Sequence, residues 1–193
     1  MSTQVHGAQP FDKAIRAKIA FSDVAMQTVK KIIKRYPEGK HKSALLPVLH
    51  VAQAEFDGWL SPEVMDYVSS VLNIKPIEVF EVASFYSMFN LKPVGKCQLE
   101  VCRTSSCWVR GAEDIVKYLE QKLGIKEGEI TPDGNFSIKT VECLGSCGTA
   151  PMLQCGASFH ENLTFEKIDK ILDDYRTQNK LRSYTDLDYK NTL

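Results

Sequence analysis

The sequence predicts an α/β protein in which a helical region precedes a small unit of strands and helices. Three observations carry that expectation. Apolar residues recur at helical spacing up to about residue 92, Pro93-Val94-Gly95 breaks the pattern, and Lys96 to Cys102 then alternates as a strand does. The expected divisions are a flexible N-terminus over 1–20, a helical domain over 21–92, an α/β domain over 93–175 and a polar C-terminal tail over 176–193.

Ser22-Asp23 can cap a first helix, in which Val29, Ile32, Ile33 and Tyr36 fall on one side. Pro37-Glu38-Gly39 stops it. Ser43 to about Phe56 aligns Leu45, Leu46, Leu49 and Ala52, with Pro47 tolerable in the first turn. Ser61-Pro62-Glu63 supplies a cap, a first-turn proline and an early acid for a third helix facing inward with Val64, Val68, Val71 and Leu72. A short fourth helix is expected from Pro76. Beyond the break, Cys97, Leu99 and Val101 share one strand face, and Cys107 to Leu123 returns to a helical period. Asp133-Gly134 is a turn leading to a strand over 136–142, and Met152 to Cys155 is a second short strand. Thr164 caps a last helix carrying Ile168, Ile171, Leu172 and Tyr175.

Bulk properties exclude several classes of function. Of 193 residues 44% are hydrophobic and 25% charged, an ordinary globular mixture. Lys and Arg number 24, as do Asp and Glu, so no global field favours nucleic acid or an anionic membrane. No apolar run approaches the ~20 residues of a membrane span. The opening MSTQVHGAQP has neither the basic start and apolar core of a secretory signal nor an Arg-rich transit pattern. The six cysteines are therefore expected in a reducing cytosol, where metal binding outranks disulfides.

Two thiol pairs stand out, Cys102-x4-Cys107 and Cys143-x3-Cys147, each where an expected strand runs into a loop. Four thiolates suit a 2Fe-2S cluster or a structural zinc. Arithmetic alone does not choose, because Cys97-x4-Cys102 has the same spacing. Alternation puts Cys97 on the apolar face with Leu99 and Val101, which favours a core role for it, and Cys155 lies in an apolar strand of its own. Gly145 and Gly148 let backbone come close to a cluster, and Thr104, Ser105, Ser106 and Ser146 can donate hydrogen bonds to it. Those residues also suit ordinary turns.

CRTSSCWVRGAEDI and ECLGSCGTAPMLQ resemble the two cluster motifs of the thioredoxin-like 2Fe-2S ferredoxin family. The resemblance extends through SALLPVLHVAQAEFDGWLSPEVMDYVSSVLNI, EVFEVASFYSMFNLKPVGK and NLTFEKI, roughly Ile32 to Tyr175. It implies a helical N-terminal region followed by a thioredoxin-like domain. It also implies one 2Fe-2S cluster, with Cys102, Cys107, Cys143 and Cys147 as its ligands and no catalytic side chain in the chain itself. The function implied is electron transfer within an NADH:quinone oxidoreductase (complex I), peripheral on the cytoplasmic face of a bacterial inner membrane. FMN and NADH would then sit on a flavin-bearing F-type partner subunit, beside the other subunits of the complex. Two alternatives stay open: the equivalent diaphorase subunit of an NAD-linked hydrogenase or formate dehydrogenase, and a non-redox zinc-bound interaction module. Where the family commonly continues with a polar, acidic turn, this chain has QCGASFHENLT, so Cys155 and His160 depart from the pattern.

No G-x-G-x-x-G follows a strand and no phosphate-cradling G-x-x-x-x-G-K-[ST] occurs, so the chain shows no nucleotide or flavin motif of its own. His6, His41, His50 and His160 lack a paired ligand spacing, and His41 reads as a solvated loop residue. Trp108 and Arg110 either shield and balance a cluster or serve packing and surface charge. Phe85, Tyr86, Met88 and Phe89 are expected in a core between the two parts rather than on a partner surface.

Overall fold

The computed structural model describes residues 19–177. Most of the expected N-terminus, His6 and the tail beyond Thr177 lie outside the described residues. Helix α1 spans Asp23–Ile33, and Ser22 Oγ accepts from the Ala25 N–H at 3.3 Å, as the capping signal predicts. A 3₁₀ turn at His41–Ala44 leads into α2, Leu45–Glu55. Helix α3 spans Pro62–Leu72, capped by Ser61 Oγ on Val64 N–H at 3.2 Å and ended by Asn73 in the left-handed region. Helix α4, Pro76–Phe85, begins with Glu78 reaching back to the Lys75 N–H at 2.9 Å. Val29, Leu49, Val68 and Val79 are fully enclosed where the four helices meet. Each such side chain contributes about 1.5–3 kcal/mol by leaving water.

The chain then crosses the sheet edge. A Cβ on Gly95 would lie 2.4 Å from the carbonyl carbon of Phe136, so only glycine allows this crossing. Strand β1 is Cys97–Cys102, β2 Phe136–Val141, β3 Leu153–Cys155 and β4 Ser158–His160, in the order β2-β1-β3-β4. β1 pairs parallel with β2, while β3 is antiparallel to both β1 and β4. Helix α5, Ser105–Val109, is followed by α6, Ala112–Leu123, and α7, Phe165–Thr177, closes the fold. Cys97, Leu99, Val101, Phe136 and Ile138 bury one sheet face with Ile115 and Leu119 of α6 and Ile168 and Leu172 of α7.

The other sheet face is polar, yet it is not given to water. It meets the segment that joins α4 to β1. Asn90 Nδ2 donates to Gln98 Oε1 at 3.0 Å, and Asn90 N–H donates to Gln53 Oε1 at 2.7 Å. Lys139 Nζ donates to the Ser87 carbonyl at 2.6 Å and to Asn90 Oδ1 at 3.2 Å, and stands 3.6 Å from Glu100 Oε1. Glu100 and Lys139 are register partners on β1 and β2. This polar seam joins the helical part to the sheet.

Several elements differ from the sequence expectation. The helix expected over 107–123 is broken at Arg110–Gly111. The strand β4 was not expected, because three residues are too few to show a period. Helix α7 runs to Thr177, past the expected start of the tail. Of the aromatic group only Phe89 is buried. Phe85 is 79% exposed, and Tyr86 and Met88 are also exposed, so they correct the expected core role. α4 ends at Phe85, which turns these side chains outward.

Burial holds His160 below the ordinary imidazole value, with repulsion from Lys167 adding to it and Asp174 opposing. Its Nε2 lies 3.2 Å from the Tyr175 hydroxyl of α7. A ring with a depressed native pKa takes its proton more readily in the unfolded chain. Its contribution is full above the unfolded value of ~6.5 and is lost as pH falls below it. His160→Phe is expected to flatten the decline in Tm between about pH 7 and pH 5. An unchanged acid slope would remove His160 from this role.

Candidate functional site

Parallel pairing brings both thiol loops to one end of the sheet. β1 ends at Cys102, whose register partner is Val141, and Cys143 follows Val141 by two residues. Because the two strands run the same way, the chain leaves both at the same end of the sheet. The Arg103 N–H donates to the Val141 carbonyl at 3.0 Å and ties the two exits together. Cys107 sits within the short helix α5, and Cys147 opens a 3₁₀ turn, Cys147–Thr149. Cys102, Cys107, Ala112, Ala150 and Met152 form a small apolar cluster of their own, with Leu144 packed against it.

The sulfurs are gathered as two pairs. Cys143 Sγ and Cys147 Sγ are 3.7 Å apart. Two thiolates each ~2.3 Å from a shared tetrahedral metal atom stand about 3.7–3.8 Å apart, so this pair has the spacing of co-ligands. Cys102 and Cys107 hydrogen-bond to one another, and Cys147 interacts electrostatically with both. Among the described residues no three His, Cys, Asp or Glu side chains are grouped to hold a single metal ion. A two-by-two arrangement suits two metal atoms. The pairs differ in depth: Cys102 and Cys107 are 3% and 2% exposed, whereas Cys143 and Cys147 face solvent.

Hydrogen-bond donors surround the quartet. Burial acts to raise the Cys102 thiol. Hydrogen bonds from the Thr104 hydroxyl, from the amides of Leu144 and Thr104 and from Cys107 outweigh it and hold Cys102 below the ordinary thiol value. Thr104 Oγ1 is 3.3 Å from Cys102 Sγ. Burial, followed by the proximity of Cys102, pushes Cys107 up to about 11, against which the Met152 amide works. Cys147 is raised by its hydrogen bond and charge contact with Cys143, while a Ser106 hydroxyl hydrogen bond opposes the rise. Gly145, with φ +84°, turns its N–H toward Cys143 Sγ at 3.4 Å. Such donors favour negative sulfur. Of the small polar residues singled out in the sequence, Thr104 and Ser106 reach sulfur. Ser146 turns instead to the side chains of Thr149 and Glu161.

The remaining candidates make other contacts. Trp108 is 57% exposed, with its Nε1 donating to Glu113 at 3.0 Å, and Val109 beside it is 74% exposed. His41 opens an exposed 3₁₀ turn, and His50 lines a cleft of about 360 Å³ between α2 and the sheet, which Glu100, Cys143 and Gln154 also line. Cys97 and Cys155 are fully buried, as expected of core residues, but they are joined as a disulfide between β1 and β3, their Cα atoms 6.1 Å apart. That link corrects the expectation of two separate thiols. It was not legible because the partners are 58 residues apart and meet only through the β1–β3 pairing. The sequence reading also missed Glu161 and the Glu100–Lys139 pair. Nothing in their local spacing marks either one.

Residues 29–176 match the thioredoxin-like [2Fe-2S] ferredoxin family. The chain is 44% identical over 157 residues to the E subunit of the NADH-quinone oxidoreductase of Rickettsia bellii, an alignment covering 81% of this chain and 94% of that one. It is 41% identical over 153 residues to the mitochondrial NADH dehydrogenase [ubiquinone] flavoprotein 2 of Dictyostelium discoideum, covering 79% of this chain and 62% of that one. Among solved structures, an NAD+-reducing [NiFe]-hydrogenase in its air-oxidized state shares the fold, with a TM-score of 0.61 and 22% identity. The match covers 74% of this chain and 24% of the hydrogenase chain.

Proposed function

The chain belongs to the thioredoxin-like [2Fe-2S] ferredoxin family, and from that membership we propose that it carries single electrons as the E-type subunit of an NADH-quinone oxidoreductase. The observation that carries the reading is the meeting of two thiol pairs from two loops at one end of the sheet. Cys102, Cys107, Cys143 and Cys147 would hold one 2Fe-2S cluster. A bound cluster of this kind supplies a reversible one-electron acceptor. The protein's own residues set the conditions: the Thr104 and Ser106 hydroxyls and the Gly145 amide donate to sulfur, and Cys102 and Cys107 are shut away from water. A group that gains negative charge on reduction is stabilised by such donors.

NADH oxidation and the flavin belong, in this reading, to an F-type partner subunit docked near the cluster. The names borne by the Rickettsia and Dictyostelium relatives support it. Among the described residues no helix is long and apolar enough to cross a membrane. We place the chain at the cytoplasmic face of the bacterial inner membrane through its partner subunits. The shared fold with an NAD+-reducing hydrogenase keeps a second reading, the equivalent subunit of such an enzyme. Co-purifying subunits separate the two, because only the first brings quinone-reducing membrane partners.

The test is anaerobic mixing of the full chain with NADH, alone and with the NADH-oxidising flavin subunit. The visible absorbance is expected to bleach only when the flavin subunit is present. Bleaching by NADH unaided, or none with the partner, contradicts the proposal. Thr104→Val, which removes one donor to Cys102, is expected to lower the reduction potential by roughly 20–60 mV with the cluster retained, the one-electron equivalent of ~0.5–1.4 kcal/mol. Redox titration followed by EPR reads the shift, and an unchanged potential denies Thr104 that role.

A further inference from the structure

The loop that carries Cys143 and Cys147 has little structure of its own. It follows β2, and its internal ties include the Gly145 N–H on Cys143 Sγ at 3.4 Å and the Thr149 N–H on the Ser146 carbonyl at 3.2 Å, which the Thr149 hydroxyl also approaches to 3.2 Å. Both its thiols are exposed. Leu144 and Cys147 tie it to the Cys102 side of the site, and three consecutive residues after β4 clasp its far end. The Asn162 N–H donates to the Thr149 carbonyl at 2.7 Å, and the Leu163 N–H donates to the Pro151 carbonyl at 3.0 Å. Glu161 acts with its side chain: Oε1 accepts from Ser146 Oγ and, at 2.7 Å, from Thr149 Oγ1. The two hydroxyl oxygens are 2.7 Å from each other, a contact edge that completes a triangle in which both hydroxyl protons go to the carboxylate. Lys167 of α7 donates from Nζ to the Glu161 carbonyl and steadies the clasp from behind.

The triangle brackets one thiol. Ser146 immediately precedes Cys147, and Thr149 ends the 3₁₀ turn that Cys147 begins. Fixing both flanks fixes the direction of the sulfur between them. Charge-assisted bonds to a carboxylate are about twice as strong as neutral ones, and this carboxylate receives two. We propose that Glu161 is a positioning residue for Cys147, acting through Ser146 and Thr149 to hold the outer thiol pair in ligand geometry. Glu161 touches no sulfur in this arrangement. Its effect on cluster retention is transmitted through the turn, and in this respect the inference rests on the cluster reading above.

The experiment uses the full chain and four variants: Glu161→Ala, Glu161→Gln, the pair Ser146→Ala with Thr149→Ala, and all three alanine changes together. Iron release to a chelator, the EPR line shape of the reduced protein, and alkylation of Cys147 in metal-free protein are measured on each. Glu161→Ala is expected to release iron about tenfold faster, to broaden or shift the EPR lines, and to alkylate Cys147 several-fold faster. Glu161→Gln keeps an acceptor oxygen in place and is expected to recover most of each effect. The Ser146/Thr149 pair is expected to reproduce Glu161→Ala, and adding Glu161→Ala to it is expected to change little more. Wild-type behaviour of Glu161→Ala in release, EPR and alkylation overturns the proposal. So does an effect that persists undiminished without the two hydroxyls, which would make the carboxylate a bare charge. Iron-free wild type sinks the cluster reading instead, and Cys147 alkylation then still decides whether Glu161 orients that thiol.

Discussion

Cys107→Ser is expected to strip or distort the cluster, while Cys97→Ser is expected to leave its EPR signal intact. The two cysteines differ by environment rather than by type. Cys107 lies in the small apolar cluster at the sheet end with Cys102, and its sulfur interacts with Cys102 and Cys147. Cys97 lies at the start of the same strand as Cys102, on the opposite sheet face, packed with Leu99 and Val101 and joined to Cys155. Replacing Cys107 takes away one of the four proposed thiolate ligands, and a hydroxyl is a poor substitute at a thiolate site. Iron content of Cys107→Ser is expected to fall to a small fraction of wild type. Cys97→Ser puts a hydroxyl in a dry core and lowers stability, yet iron content and g-values are expected to stay at wild-type levels. Equal loss of signal in both variants overturns the choice of Cys107 over Cys97.

Lys139→Met is expected to destabilise the fold by about 2–4 kcal/mol, the scale of breaking a buried pair from one side. Its side chain is 24% exposed and that of Glu100 14%. Burial raises the Glu100 carboxyl and Lys139 counteracts it, so removing the ammonium leaves a mostly buried carboxylate without its cation. The Ser87 carbonyl and Asn90 Oδ1 lose a donor in the same step. Glu100→Gln in the Lys139→Met background removes the stranded charge and is expected to restore more than half of the loss, a non-additive pair in a double-mutant cycle. Thermal and denaturant unfolding of the four proteins measures it. A loss below about 0.5 kcal/mol in Lys139→Met, the size of an ordinary surface change, contradicts the seam's importance.

The local signals in the sequence were sound where chemistry is local. Ser22, Ser61 and Thr164 each cap the helix they precede, because a hydroxyl and an N–H three residues on are all that a cap requires. Alternation correctly separated Cys97 from Cys102, since the faces of a strand follow from counting. The resemblance added the family, the fold and the cluster. What remained hidden depends on pairs distant in the chain. The alternation of β1 shows Gln98 and Glu100 as polar and outward, but not that Asn90 and Lys139 meet them. Glu161 reaches Ser146 across 15 residues because the β3–β4 hairpin folds back beside the loop. The exposure of Phe85 followed from where α4 ends, a boundary that propensity fixes poorly.

The decisive measurement is iron and sulfide analysis of the anaerobically purified full chain, with EPR before and after dithionite. Two irons and two sulfides per chain, with no signal as oxidised and one S = 1/2 signal after reduction, is the expected result. A colourless protein holding zinc, or one binding no metal at all, contradicts the assignment of an electron carrier to these thiols.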